Sequence, residues 1–199
     1  HQIDNLEKAG VSKKNIVIVT GYQADFIKAE YPKEITFIHN PNYSTTNSLY
    51  SLWLAKKETF TKGMILLNSD VIFHPGVIKK LLEKTGNSIA VDFNKKIIEG
   101  EMNVVVNKKN EIVKISKKIN PKDASGESVQ IVNLDSQGVK ILFEECDKII
   151  KNGIKDKFPA YVFEHIIKKK TMKAVDVSGL PWYEIDYNKD YEEAKKIKF

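Results

Sequence analysis

Residues 63–73 read GMILLNSDVIF. Met64, Ile65, Leu66 and Leu67 are four consecutive apolar residues without helical spacing, the pattern of a short strand buried on both faces in a parallel sheet. The run ends at Asn68-Ser69-Asp70, and two readings of that ending are open. These residue types make turns through local hydrogen bonds. A carboxylate just past the C-terminal end of a central strand also stands where open α/β sheets bind their ligands. On the second reading Asp70 is the first candidate for chemistry.

The flanking chain alternates strands with helices. Upstream, residues 15–20 (NIVIVT) form an apolar strand stopped by Gly21, residues 24–29 a short helix, and residues 35–38 a second strand. A helical stretch, SLYSLWLAKKE, covers residues 48–58. Downstream, Pro75 is well placed in the first turn of a helix. This βαβ alternation predicts a parallel sheet. The second half changes character: residues 88–93, 102–107, 111–116 and 128–134 read as successive strands, with Lys108-Lys109-Asn110 as a hairpin-like turn. Ser136 is expected to cap a long helix that stops at Asn152-Gly153. A helix over residues 158–169, strands over 173–177 and 182–186, and a last helix capped by Asn188 complete the chain. The expectation is one α/β domain over residues 1–199 with a mixed, mostly parallel central sheet flanked by helices. His1 to Ala9 reads as the end of an amphipathic helix with no strand before it, so a first βα unit is expected to be absent from this chain.

Composition narrows the classes of function. A chain of 199 residues with 42% apolar content supports one substantial core. The net charge of +6 comes from 32 lysines, with no arginine in the sequence. Nucleic-acid readers rely on the arginine fork, and these lysines are interspersed with 26 acids, which argues against nucleic acid and mildly favours small anions. The first residues resemble neither a signal nor a transit peptide, and no apolar run approaches the roughly 20 residues a bilayer requires. A soluble, cytoplasmic protein that binds no membrane is expected. Cys146 is the single cysteine and falls within a helical apolar pattern, as a buried, inert thiol would.

A second acidic cluster lies in Gly179-Leu180-Pro181-Trp182-Tyr183-Glu184-Ile185-Asp186. Strand alternation points Glu184 and Asp186 to one side, with Tyr183 and Ile185 on the other. Either the two acids face solvent on an edge strand among lysine partners, or, with Asp70 alongside, they hold a hard divalent cation such as magnesium. Trp182 and Tyr183 flank the acids, and Trp53 sits on the helix after the 43–47 loop. Aromatic faces beside carboxylates suit an ammonium group through cation–π attraction. They equally suit core packing.

Taken together, the segments VTGYQADFI, NPNYSTTNSLYSLWLA, ILLNSDVIF, ISKKI with ASGE, and GLPWYEIDYNKDYEEA resemble the nucleotidyltransferase superfamily. They are closer to its cytidylyltransferase branch, which includes choline-phosphate cytidylyltransferases of the LicC type and 2-aminoethylphosphonate cytidylyltransferases. The resemblance implies a Rossmann-like nucleotidyltransferase fold and transfer of CMP from CTP to a small phosphorylated or phosphonylated headgroup, with release of pyrophosphate. It makes Asp70 and Asp186 the ligands of Mg²⁺, with Glu184 nearby, and places Lys117 against the acceptor phosphate. Thr46, Asn47 and Ser48 fall where the family lines its nucleotide site, and Gln130 stands where many relatives carry a glycine close to the acceptor. The wording of ASGE and GLPWYEID leans towards the phosphonate branch. The family's Gly-rich phosphate loop has no match in residues 1–199, so this chain is expected to be N-terminally incomplete. A sugar-1-phosphate or inositol-phosphate nucleotidyltransferase and a non-catalytic binding module are the competing readings. A homodimer, or fusion to another catalytic domain, is compatible with the sequence.

Overall fold

The computed structural model describes residues 1–31, 33–58, 60 and 62–198. In chain order the elements are α1 (Gln2–Lys8), β1 (Val17–Thr20), α2 (Ala24–Glu30), β2 (Thr36–His39), α3 (Ser48–Leu54), β3 (Met64–Leu67), β4 (Val71–Phe73), α4 (Gly76–Leu82), β5 (Asn87–Asp92), β6 (Asn103–Val106) and β7 (Ile112–Ser116). They continue with β8 (Gly126–Leu134), α5 (Ser136–Lys151), α6 (Ala160–Lys169), β9 (Met172–Asp176), β10 (Trp182–Glu184) and α7 (Asn188–Ala194). None of the described helices is long and apolar enough to cross a membrane.

The main sheet runs β7-β6-β8-β5-β9, with β3 joined to β8. Its long strand β8 alternates between two cores. Val132 and Leu134 enter one with Ile89, Leu142 and Ile166, while Val129 and Ile131 enter the other with Ala90, Ile78 and Leu81. Alternation thus buries both faces, and helices α5 and α6 cover one while α1 and α4 cover the other. Parallel β1 and β2 form a separate pair.

The sheet is mixed, as the sequence predicts, but antiparallel pairings outnumber parallel ones. β5 pairs in parallel with β9, whereas β3, β5 and β6 all run antiparallel to β8. The apolar run of β3 therefore does not reflect a parallel setting buried on both faces. Each of its four residues is half-buried, and its described pairing is along one edge only. β4 is a further departure, since Val71-Ile72-Phe73 leaves the turn as its own strand and pairs antiparallel with β10. Capping also shifts by one residue at α5 and α7. Asp135, rather than Ser136, caps α5 by accepting from the Gly138 N–H at 2.7 Å, and Tyr187, rather than Asn188, opens α7.

Gly138 shows how tightly α5 meets the sheet. A Cβ there would lie 2.0 Å from Asn87 Oδ1, the oxygen that accepts from the Asp135 N–H at 3.1 Å. Helix start and strand start are therefore bonded face to face, with room for hydrogen alone. On the far side of α5, buried Glu145 accepts from Lys148 and Lys169, each at 2.7 Å, and faces His165 Nδ1 at 3.4 Å, tying α5 to α6. Cys146 beside it is buried, which pushes its thiol up to about 12, the inert state the sequence suggests.

Candidate active site

The register of β4 against β10 builds the site. Val71 lies opposite Glu184, Ile72 opposite Tyr183 and Phe73 opposite Trp182, and the Ile185 N–H donates to the Asp70 carbonyl at 2.9 Å. This pairing draws Asp70 beside Glu184 and Asp186, 114 and 116 residues distant in sequence. One carboxylate oxygen from each of the three acids lies within 4.8 Å of the others. Glu184 and Asp186 thus stand beside Asp70, as the second reading requires, while Asp186 also faces solvent, as the first reading has it.

The electrostatics of the cluster follow from burial and like charge. Burial raises the Asp70 carboxyl above its usual range and the Asp186 charge adds to it, while a backbone hydrogen bond and Lys117 pull the other way. Glu184 is likewise raised by burial and by both aspartates, opposed by a hydrogen bond from Gln130 and by Lys117. Asp70 Oδ1 is buried with no hydrogen-bond partner. Three converging carboxylates, one with a buried unpaired oxygen, form a donor set suited to a hard cation. Lys117, which follows β7, is the positive group acting on this cluster, and its Nζ also lies 5.7 Å from the Phe158 ring centroid.

Several groups hold the acids in place. Asn68 Nδ2 donates to Gln130 Oε1 at 2.7 Å, which leaves the Gln130 amide N–H₂ for Glu184. Gln130 adopts φ +60° within β8, a left-handed backbone that favours glycine. Behind the Asp70 turn, Gln2 Nε2 donates to the carbonyls of Asn68 at 2.7 Å and Val71 at 2.5 Å, and buried Asn5 donates to Phe73 at 2.5 Å. Asn68 reads in the sequence only as part of a turn, and Gln2 and Asn5 were passed over. A polar pair at i and i+3 on the inner face of α1 was the signal available for the last two.

Other candidates are placed differently. Asn47 caps α3 and accepts from the Ser48 N–H at 2.7 Å, while its own backbone N–H donates to the Lys155 carbonyl at 2.8 Å. Thr46 Oγ1 donates to the Asn42 carbonyl at 2.8 Å and accepts from Asn40 Nδ2 at 3.2 Å. These polar groups, with Ser48 beside them, stitch the 40–47 loop to itself and to residues 155–157. Trp53 donates to Asp147 at 2.6 Å and packs α3 on α5, away from the acids. Tyr183 takes the face of β10 opposite Glu184. Trp182 is buried, donates to Asp92 at 3.0 Å, and carries the Lys95 ammonium 3.6 Å above its ring centroid, so its aromatic face already meets a cation of this chain.

No family model matches the sequence. A stretch of 78 residues is 36% identical to CMP-5'-(3-aminopropyl)phosphonate synthase of Streptomyces rubellomurinus, covering 37% of this chain and 12% of that protein's length. The fold superimposes on CTP:phosphocholine cytidylyltransferase from Streptococcus pneumoniae with a TM-score of 0.76 at 20% identity, over 98% of this chain and 82% of that one. It superimposes on the inositol-1-phosphate CTP transferase from T. maritima with a TM-score of 0.77 at 20% identity, over 95% and 76% of the two chains. The resemblance carried by the sequence motifs therefore extends through the whole architecture, and the chain has the Rossmann-like fold of the nucleotidyltransferases.

Proposed function

We propose that this chain is the catalytic domain of a Mg²⁺-dependent cytidylyltransferase, which transfers CMP from CTP to a small phosphonate or phosphate that bears an ammonium group. The observation that carries this reading is the convergence of Asp70, Glu184 and Asp186 within 4.8 Å, in a fold shared with cytidylyltransferases. The partial likeness to a CMP-aminopropylphosphonate synthase favours a phosphonate of the 2-aminoethylphosphonate kind, with phosphocholine as the other acceptor.

In the reaction an acceptor oxygen forms a bond to the α-phosphorus of CTP, and the bond from that phosphorus to the pyrophosphate oxygen breaks. Pyrophosphate leaves with the electron pair, and no covalent enzyme intermediate is required. The chain's task is alignment and charge balance. Asp70 and Asp186 would hold Mg²⁺, with Glu184 beside them; the ion, when bound, offsets negative charge on the phosphates. Lys117, whose charge acts on both Asp70 and Glu184, would bring positive charge to the acceptor anion. Gln130 fixes Glu184, and Asn68 fixes Gln130.

The test is pyrophosphate release by the full-length protein given CTP, Mg²⁺ and either 2-aminoethylphosphonate or phosphocholine. Release that depends on one acceptor identifies it, and Asp70→Ala and Asp186→Ala should each lower turnover at least a hundredfold with the fold intact. Near-normal turnover in either variant overturns the metal assignment. Preference for a sugar or inositol phosphate over both acceptors overturns the substrate class, and no release with any acceptor or nucleotide favours a binding module.

A further inference from the structure

A second polar corner adjoins the acidic site. Glu127, opposite Asp92 on β5 and Asn103 on β6, has a side chain only 3% exposed. Its Oε1 accepts from Lys95 Nζ at 2.8 Å, while its Oε2 is buried without a partner. Asn103, fully buried beside it in the sheet, also keeps its Oδ1 unpaired. Trp182 forms the wall, its indole N–H fixed by Asp92 Oδ2 while Asp92 Oδ1 takes the backbone N–H groups of Asn94 and Lys95 at 2.9 and 3.1 Å. The corner thus combines an aromatic face, a buried carboxylate and two unused acceptors.

Its occupant is held differently from its walls. Lys95 lies on the stretch 93–102, which has no helix or strand, and its side chain is 39% exposed. Its ammonium has three N–H donors, and tethered from the loop it uses one on Glu127. Leaving Glu127 charged and alone in this corner would be unfavourable, but exchanging one primary ammonium for another keeps the pair and the cation–π contact. A free ammonium would have three acceptors to meet, where the tethered one meets one.

We propose that Trp182, Glu127 and Asn103 form a seat for a primary ammonium group, with Lys95 as its resident and displaceable occupant. Trp182 is two residues from Glu184 on the same face of β10, about 7 Å along the strand. Asn103 also pairs with Ser116, the residue before Lys117, so an aminoalkyl phosphonate of two or three carbons could set its anion near Lys117 and its ammonium in the seat. That use as an acceptor subsite rests on the cytidylyl-transfer reading; the existence of the seat does not.

The experiment is rescue of Lys95→Ala by ethylammonium chloride, read as thermal stability and as tryptophan fluorescence in a Trp53→Phe background. Lys95→Ala should melt below the parent, and ethylammonium should raise its melting temperature and shift Trp182 emission saturably. Sodium chloride and tetramethylammonium at equal concentration should do neither. The parent should need at least ten times more ethylammonium, and Lys95→Ala with Glu127→Gln should not respond. A Lys95→Ala protein that folds yet responds equally to all three salts overturns the seat. Lys95→Arg preserves charge and pairing but fills the corner more firmly. It should raise the KM for the aminoalkyl acceptor at least fivefold while leaving that for CTP within twofold, and an unchanged acceptor KM overturns displacement of Lys95. If the parent shows no turnover at all, the transferase reading fails while ethylammonium rescue still decides the seat.

Discussion

Gln130 has two roles that pull in different directions. Its left-handed backbone at φ +60° is one glycine adopts freely, whereas its side chain links Asn68 to Glu184. Gln130→Gly should therefore leave stability unchanged or raise it by about 0.5–1 kcal/mol. It should also weaken divalent-cation binding severalfold, because Glu184 loses the donor that opposes its raised pKa. Urea unfolding and Mn²⁺ titration of one protein preparation check both halves, and a loss of stability with unchanged cation affinity would refute the assignment. Asp70, Glu184 and Asp186 were legible as residues because each follows or ends an apolar strand. Their meeting was only a possibility, since it depends on the register of β4, a three-residue strand hidden in what reads as a turn and helix lead-in. The aromatic neighbours were less legible. Strand alternation puts Trp182 on the side of Glu184, but cannot reveal that Lys95, 87 residues away, covers its ring.

Among the elements, α5 and α6 are joined through one buried carboxylate. Lys148 and Lys169 hold Glu145 down to about 2 from its ordinary 4.5, so in the folded state it stays ionised where the unfolded chain would take up a proton. Its contribution is fully present above pH 4.5 and is lost as pH falls towards 2. Both lysines are largely in water, which screens the pairs, so Glu145→Gln should remove about 1–2 kcal/mol at neutral pH. The variant should also show a shallower acid-unfolding slope than the parent between pH 4.5 and 2, measured by circular dichroism. Helix α5 itself was plain in the sequence from its apolar spacing and the Asn152-Gly153 stop. Its start was misassigned by one residue because Asp135 and Ser136 are both good caps, and the choice falls to Gly138, whose N–H meets Asp135.

Across the whole molecule, the two cores meet through the main sheet, and the acidic site lies where β4 and β10 add a short arm to it. Helix α1, at the other end of the chain from β10, supports that arm by three side-chain hydrogen bonds to the carbonyls of residues 68, 71 and 73. Replacing Gln2 and Asn5 together by alanine should weaken Mn²⁺ binding severalfold without changing helix content, since the carbonyls would be free to rotate the Asp70 turn. Equal affinity in the double variant, measured by calorimetry, would show the arm to be self-supporting. The class of fold was legible from alternating strands and helices. The antiparallel majority in the sheet was not, because an apolar run fixes neither the direction of the neighbouring strand nor, as half-buried β3 shows, the depth of burial.

The ion pairs described above draw their side-chain cations from lysine and histidine, since the sequence has no arginine. Every lysine carries a primary amine that an acylating reagent can neutralise, including Lys95 in its corner, Lys117 at the acids and the pair that holds Glu145. Exhaustive acetylation would strip the chain of all 32 side-chain amines and leave its 26 carboxylates without lysine counter-charges. A protein of the same shape built with arginine would keep most of its charge under that treatment. The chemical state of amines thus becomes a single global control over a molecule whose pairs otherwise act one by one.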